Sequence, residues 1–216
     1  AYAEAYNNLG EVYRAQNDCS RAIEMYEKAI DLQNDYVAPH WNRAQVWLLT
    51  RDFEQGWPAY EYRWRRPGGV IRLFDTGEPW TGQSLEGKTI FVYEEQGLGD
   101  TLQFMRFLPA IQNLGARVIF EVLGSLVRLV ETASGFDRLW VGIRNVDTRP
   151  VDRFDYHVPL LSLPYIFNIG PETIPNRVPY LSADKGLSQI WKRRFRPEPR
   201  LKIGVVWAGS TVHKND

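Results

Sequence analysis

Thr89-Ile90-Phe91-Val92-Tyr93-Glu94-Glu95-Gln96-Gly97-Leu98-Gly99-Asp100 is the stretch on which the fold turns. Its first five residues are β-branched or aromatic, the composition of a strand buried on both faces. Gly97-Leu98-Gly99-Asp100 then makes a turn. From Asp100 onward Phe104, Phe107, Leu108, Ile111 and Leu114 share one helical face, with Pro109 placed to bend it. Further on, Ala116–Val122 reads as a second strand and Ser125–Thr132 as a helix. Arg138–Val141 and Phe154–Val158 read as strands, Ser182–Phe195 as a helix, and Leu201–Trp207 as a last apolar strand. Strands alternating with helices predict a parallel sheet with right-handed crossovers.

Upstream the period is different. Tyr6, Leu9, Gly10 and Tyr13 line one helical face, Asn17-Asp18-Cys19-Ser20 interrupts it, and a second helix starts near Ser20, read as its N-cap. Ala22, Tyr26 and Ala29 form the next stripe. This spacing resembles the tetratricopeptide repeat, a helix–turn–helix unit of about 34 residues. One period later Gly10 maps to Ala44, Tyr13 to Trp47, Ala22 to Gly56 and Tyr26 to Tyr60, all in the same size class. Elsewhere the second unit departs: His40 stands for Tyr6, Arg43 for Leu9 and Arg63 for Ala29, and Pro58 falls where it kinks or delays the second helix. A terminal repeat that docks onto something else has this character. More repeats are expected before Ala1, since the sequence opens inside a helical pattern and without Met.

The 26 basic and 26 acidic side chains of the 216-residue chain cancel, which argues against nucleic acid as the main partner. Lys192-Arg193-Arg194 with Arg196 reads as a solvated helix end. The lone Cys19 has no disulfide partner and reads as a small apolar filler. No apolar run reaches membrane-spanning length and no signal peptide is visible, so a cytoplasmic protein is expected. His40, His157 and His213 are scattered, so no metal site is expected. The eight tryptophans read as packing residues at the repeat and its junction.

The chemistry belongs at the carboxyl ends of the parallel strands, where Glu94 to Asp100 lies. Its glycines permit tight turning and close approach of a ligand to backbone N–H groups. The spacing is G-x-G-D, with Leu102 where a dinucleotide fingerprint would continue, and this disfavours a Rossmann dehydrogenase. Asp100 read from spacing alone is an ordinary helix cap. Glu94 and Glu95, being adjacent, point to opposite faces in regular geometry.

Phe53–Trp64 (F-E-Q-G-W-P-A-Y-E-Y-R-W) and Glu94–Arg106 (E-E-Q-G-L-G-D-T-L-Q-F-M-R) resemble segments of bacterial proteins that fuse tetratricopeptide repeats to a glycosyltransferase. Trp80-Thr81-Gly82-Gln83-Ser84-Leu85, Pro159–Pro164 and Val206–Asp216 (V-W-A-G-S-T-V-H-K-N-D) are similar to the same family. That family is related to the lipopolysaccharide heptosyltransferases and shares their GT-B arrangement of two facing Rossmann-like domains. The resemblance implies an α + α/β chain: repeats over residues 1–66, a linker at 67–87, the Rossmann-like N-terminal GT-B domain at 88–199, and the first strand and loop of a truncated C-terminal domain at 200–216.

The resemblance also implies metal-independent transfer of a sugar from a nucleotide sugar to a glycan or protein acceptor. Gly99 and Asp100 match the family's Gly-Asp motif, and Asp100 would be the general base. An inverting transfer needs a carboxylate to take the acceptor hydroxyl's proton. Glu95, Gln96, Gly97 and Gly99 would line the substrate site, and Gly209, Ser210 and Lys214 would begin the donor-phosphate site. No cofactor and no metal are implied, and no Asp-x-Asp pair is found. The piece lacking most of the second domain is expected to be inactive alone. The competing reading is a protein-binding scaffold, a tetratricopeptide groove for an extended peptide beside a non-catalytic α/β part. A nucleotide-binding regulator using the G-L-G-D loop is the third.

Overall fold

The computed structural model describes residues 2–67, 74–142 and 153–205. Four helices open the chain: α1 (Tyr2–Ala15), α2 (Cys19–Leu32), α3 (Val37–Leu49) and α4 (Phe53–Tyr60). The cap of α2 is Asp18, not Ser20. Its carboxylate accepts from the Arg21 N–H at 3.1 Å, satisfying a donor that the first helical turn leaves without a partner. Asp52 caps α4 in the same way through the Gln55 N–H, at 3.3 Å. The two pairs of helices close through small residues. A Cβ on Gly10 would stand 2.5 Å from Cε1 of the buried Tyr26 ring, and one on Gly56 2.6 Å from Cδ2 of Leu48. Either contact is well inside van der Waals distance, so only glycine permits these approaches. Pro58 lies inside α4, which then tightens into a 3₁₀ turn at Glu61–Arg65.

A five-stranded sheet follows: β1 (Glu78–Pro79), β2 (Thr89–Tyr93), β3 (Arg117–Leu123), β4 (Arg138–Gly142) and β5 (Tyr156–Pro159). Its order is β1-β5-β2-β3-β4, with every neighbouring pair parallel. The sequence therefore gives a helical repeat region joined to a small parallel sheet, an α + α/β layout. Two aspartates pin the strand starts by accepting backbone N–H groups, Asp155 from Thr89 at 2.8 Å and Asp137 from Val118 at 2.7 Å. Backbone hydrogen bonding from Thr89 is the main cause that holds the Asp155 carboxyl below its usual range.

The long helix expected after Asp100 is three pieces: α5 (Leu98–Phe104), a 3₁₀ turn at Met105–Phe107, and α6 (Leu108–Gln112). Pro109 has no N–H to bond the preceding turn, which accounts for a break just before it. Short helices α7 (Val127–Val130) and α8 (Leu163–Ile166) complete this part. Ile90, Val92, Val118, Phe120 and Val122 pack with Leu108, Ile111, Trp80 and Leu163 in the main core. Phe91, Tyr93, Ile119 and Phe154 form a second cluster, joined by Phe74 and Trp140. The β1 strand lies in the stretch read as the linker at 67–87. Two residues carry no periodicity, and only their pairing with Tyr156 and His157 makes them a strand.

Residues 2–181 form one compact unit and 182–205 belong to a second. The second holds α9 (Lys185–Phe195), capped by Asp184, whose carboxylate accepts from the Leu187 N–H at 2.7 Å. Its last turn carries Lys192, Arg193 and Arg194, all exposed. The strand expected at 201–207 differs. Residues 201–205 form no strand, and Leu201, Ile203 and Val205 are exposed. Apolar alternation supplies one face of a strand, whereas the strand itself requires a neighbouring ladder. Residues 206 and 207 lie outside the described part.

Candidate functional site

The chain passes from β2 to β3 and β4 on one side and returns to β5 on the other. Strand order thus reverses between β2 and β5. In open parallel sheets the crevice at such a point, beyond the strand carboxyl ends, is where ligands bind. Glu94 to Asp100 leaves β2 at that crevice, and Leu160-Leu161-Ser162 leaves β5 beside it.

Asp100 stands in the first turn of α5, half-buried, and its Oδ2 accepts from the Gly97 N–H at 2.9 Å. Half of a capping box is formed, the other half being closed to a glycine that has no side chain. Thr101, buried behind it, donates from Oγ1 to the Gly97 carbonyl at 3.3 Å. A Cβ on Gly99 would meet nothing within 4 Å, so this side of the turn is open. Gln96 donates from Nε2 to the Tyr60 hydroxyl at 3.0 Å. Burial pushes the Tyr60 hydroxyl up, with Asp100 and Glu95 adding to the shift, and the phenol stays protonated. Trp57 meets Phe104 edge to face at 6.0 Å. The helical repeats therefore form one wall of the loop.

Glu95 has another place than the one expected for it. Its side chain is 6% exposed and faces Arg63, itself 4% exposed. Arg63 donates from Nε to Oε2 at 2.7 Å and from Nη2 to Oε1 at 2.9 Å, a bidentate fork. The Leu161 N–H adds a third bond to Oε1 at 3.1 Å. Arg63 also reaches Glu61 Oε1 at 2.5 Å and Ser162 Oγ at 2.7 Å, and Ser162 donates back to Glu61 Oε2 at 2.9 Å. Burial pushes the Glu95 carboxyl up, and the Arg63 guanidinium opposes that shift. The carboxylate is thus committed to the protein, tying β2, β5 and the last repeat together. Arg63 is the site residue that sequence reading missed. Its only signal was the mismatch with Ala29 in the repeat register.

Gly209, Ser210 and Lys214 lie outside the described residues. Among the described residues no group of three or more His, Cys, Asp or Glu could hold a metal ion. Among them, too, no helix is long and apolar enough to cross a membrane. On the other sheet face His157 packs against Phe74 at 4.6 Å, with Tyr93 and Phe154 close by. Burial lowers its pKa, so the imidazole is neutral in the fold. As pH falls through the free value near 6.5, the unfolded chain takes up a proton that the folded chain refuses, so stability falls. A His157→Gln chain is expected to show a shallower loss of urea midpoint between pH 7 and pH 5 than the parent, and equal slopes would contradict this.

Fold and site together define a class: a helical repeat module packed on the carboxyl end of a parallel sheet. Residues 10–48 match the TPR repeat family. The chain is 28% identical over 231 residues to Protein FlbA of Caulobacter vibrioides, an alignment that covers 95% of this chain and 38% of that protein. A solved structure of a Thermobaculum terrenum O-GlcNAc transferase mutant aligns over 67% of this chain and 35% of its own, with a TM-score of 0.29 and 13% identity. The chain thus spans well under half the length of either protein.

Proposed function

We propose that this chain is part of a metal-independent, cytoplasmic glycosyltransferase, with the sheet as the Rossmann-like N-terminal half of a GT-B fold. One observation carries the reading: the Gly97-Leu98-Gly99-Asp100 turn sits where the order of parallel strands reverses, with Asp100 held at the helix start by the Gly97 N–H. The resemblance of that turn and of the Phe53–Trp64 segment to repeat-bearing glycosyltransferases supports it.

In this reading Asp100 accepts the proton of the attacking hydroxyl as the sugar's anomeric carbon is displaced from a nucleoside diphosphate. The Gly97 N–H fixes the position of the Asp100 side chain. The carboxylate acts because the hydroxyl grows acidic only as the new bond forms. Gln96, Gly97 and Gly99 contribute the surrounding polar and backbone groups, and Gly209, Ser210 and Lys214 begin the donor-phosphate site. Glu95 supports the turn from behind.

The test uses the full-length parent with nucleotide sugars and a chelator. Transfer is expected to persist without divalent metal, and Asp100→Asn to reduce it by about 10²–10⁴-fold. Loss of transfer on chelation contradicts the metal-independent reading. Full activity of the Asp100→Asn protein removes the base role, and absence of nucleotide-sugar binding removes the enzyme. The match of residues 10–48 to the TPR repeat favours one second reading, a scaffold binding an extended peptide, which that last outcome would leave standing.

A further inference from the structure

We propose that the last helical repeat sets the conformation of the 94–100 turn through Arg63, so that the repeats and the turn move as one element. Arg63 is a positioning residue, acting through Glu95. This coupling holds whatever ligand the turn serves, and it stands independently of the sugar-transfer reading.

Among the described residues, Arg63 and Tyr60, three apart in the chain, reach the adjacent Glu95 and Gln96 of the turn. Arg63 grips Glu95 with a bidentate fork at 2.7 and 2.9 Å, and Tyr60 accepts from Gln96 at 3.0 Å. Gln96 is followed directly by Gly97, whose N–H holds Asp100. The guanidinium is fixed on its own side. It lies near the Trp64 ring, 4.3 Å from the centroid, and the Tyr60 ring, 5.1 Å away, and bonds Glu61, while Ser162 reaches it from the segment after β5. The Arg63 and Glu95 side chains are almost fully buried, 4% and 6% exposed, which raises the dependence of their fork on geometry. Shifting the 3₁₀ turn at Glu61–Arg65 by even an ångström would break the fork or drag Glu95 with it. Between those outcomes the buried carboxylate decides, because leaving it without Arg63 strands a desolvated charge. The turn follows the repeat.

Glycines at 97 and 99 make the turn dependent on this support. They bring no side chain of their own to hold the turn, which locally rests on the Asp100 bond to the Gly97 N–H and on the Thr101 bonds to the Gly97 carbonyl. A second repeat that has lost its Ala29 equivalent is explained by the same contact. The position was given to the residue that reads the sheet.

Amide hydrogen exchange on the full chain tests the coupling, read at Gly97 and Gly99. The comparison is between Arg63→Met and Val118→Ala, the latter a core truncation where β3 pairs with Ile90 near the start of β2. Arg63→Met is expected to accelerate Gly97 exchange by about tenfold beyond the acceleration it causes in the core amides of β2 and β3. Val118→Ala is expected to accelerate all of them alike. The pair variant Arg63→Met with Glu95→Leu removes both buried charges. It is expected to regain stability while Gly97 exchange stays fast, a separation that a merely structural role does not give. Should Arg63→Met not fold, Tyr60→Phe, which deletes a single hydroxyl, is read at the same amides, with about a threefold excess expected. Exchange at Gly97 that merely tracks the core amides in the folded variants overturns the proposal.

Discussion

Arg63→Ala is expected to destabilise the chain by about 3–5 kcal/mol, read as a lowered urea midpoint, one of the two largest effects of any single substitution described for it. The magnitude follows from what remains. Glu95 keeps its Leu161 N–H bond but loses both guanidinium bonds and stays buried. Glu61 and Ser162 lose the group around which they are arranged. Breaking one partner of a desolvated pair costs far more than the pair contributes, because two charges brought out of water largely offset their own attraction. Replacing both by apolar side chains of similar volume should therefore recover most of the loss. Arg63→Lys should recover little: an ammonium cannot span both Glu95 oxygens while reaching Ser162. A loss under about 1 kcal/mol for Arg63→Ala would mean that water enters and rehydrates Glu95.

Tyr26→Ala should match that effect in the helical repeats, costing about 3–5 kcal/mol as other core ring removals do. The Tyr26 ring is fully buried between α1 and α2, and its hydroxyl donates to Glu11 Oε1 at 2.5 Å. Burial is the largest cause that pushes this hydroxyl's pKa up, and Glu11 reinforces it, so the phenol remains a donor across the working range. Gly10 supplies a check on the packing argument. Gly10→Ala alone places a methyl group 2.5 Å from the ring and should cost about 1–3 kcal/mol. In the Tyr26→Ala background the space is empty, and the same substitution should cost little or even stabilise α1 through its helix propensity. Additive losses in that double-mutant cycle would refute the close approach of the two residues.

The sequence made the helical repeat legible because its signal is local. Gly10, Ala22, Tyr26, Ala44 and Gly56 sit at fixed offsets along helices that are neighbours in the chain. The parallel sheet was legible for a similar reason. Thr89–Tyr93 is a continuous β-branched and aromatic run and Val118–Phe120 a shorter one, and such strands make sense only when covered on both faces. The turn at Gly97–Asp100 could be placed at the carboxyl end of a strand, and Asp100 could be named, though its first partner is a backbone N–H only three residues away.

Packing of the helices against the sheet set the use of the residues that broke the patterns. Arg63 and His40 looked like decay of the second repeat. One grips Glu95 across 32 residues of chain, and the other stacks on Tyr62 with ring centroids 4.2 Å apart. Glu95 looked like a ligand group, and the fold turned it inward. Leu201, Ile203 and Val205 looked like a strand, and without a ladder they stay exposed. Periodicity records how a side chain sits against its own element. Whether a charge is buried, paired or open depends on which distant element arrives opposite it, and that is settled only when the helices and the sheet pack together.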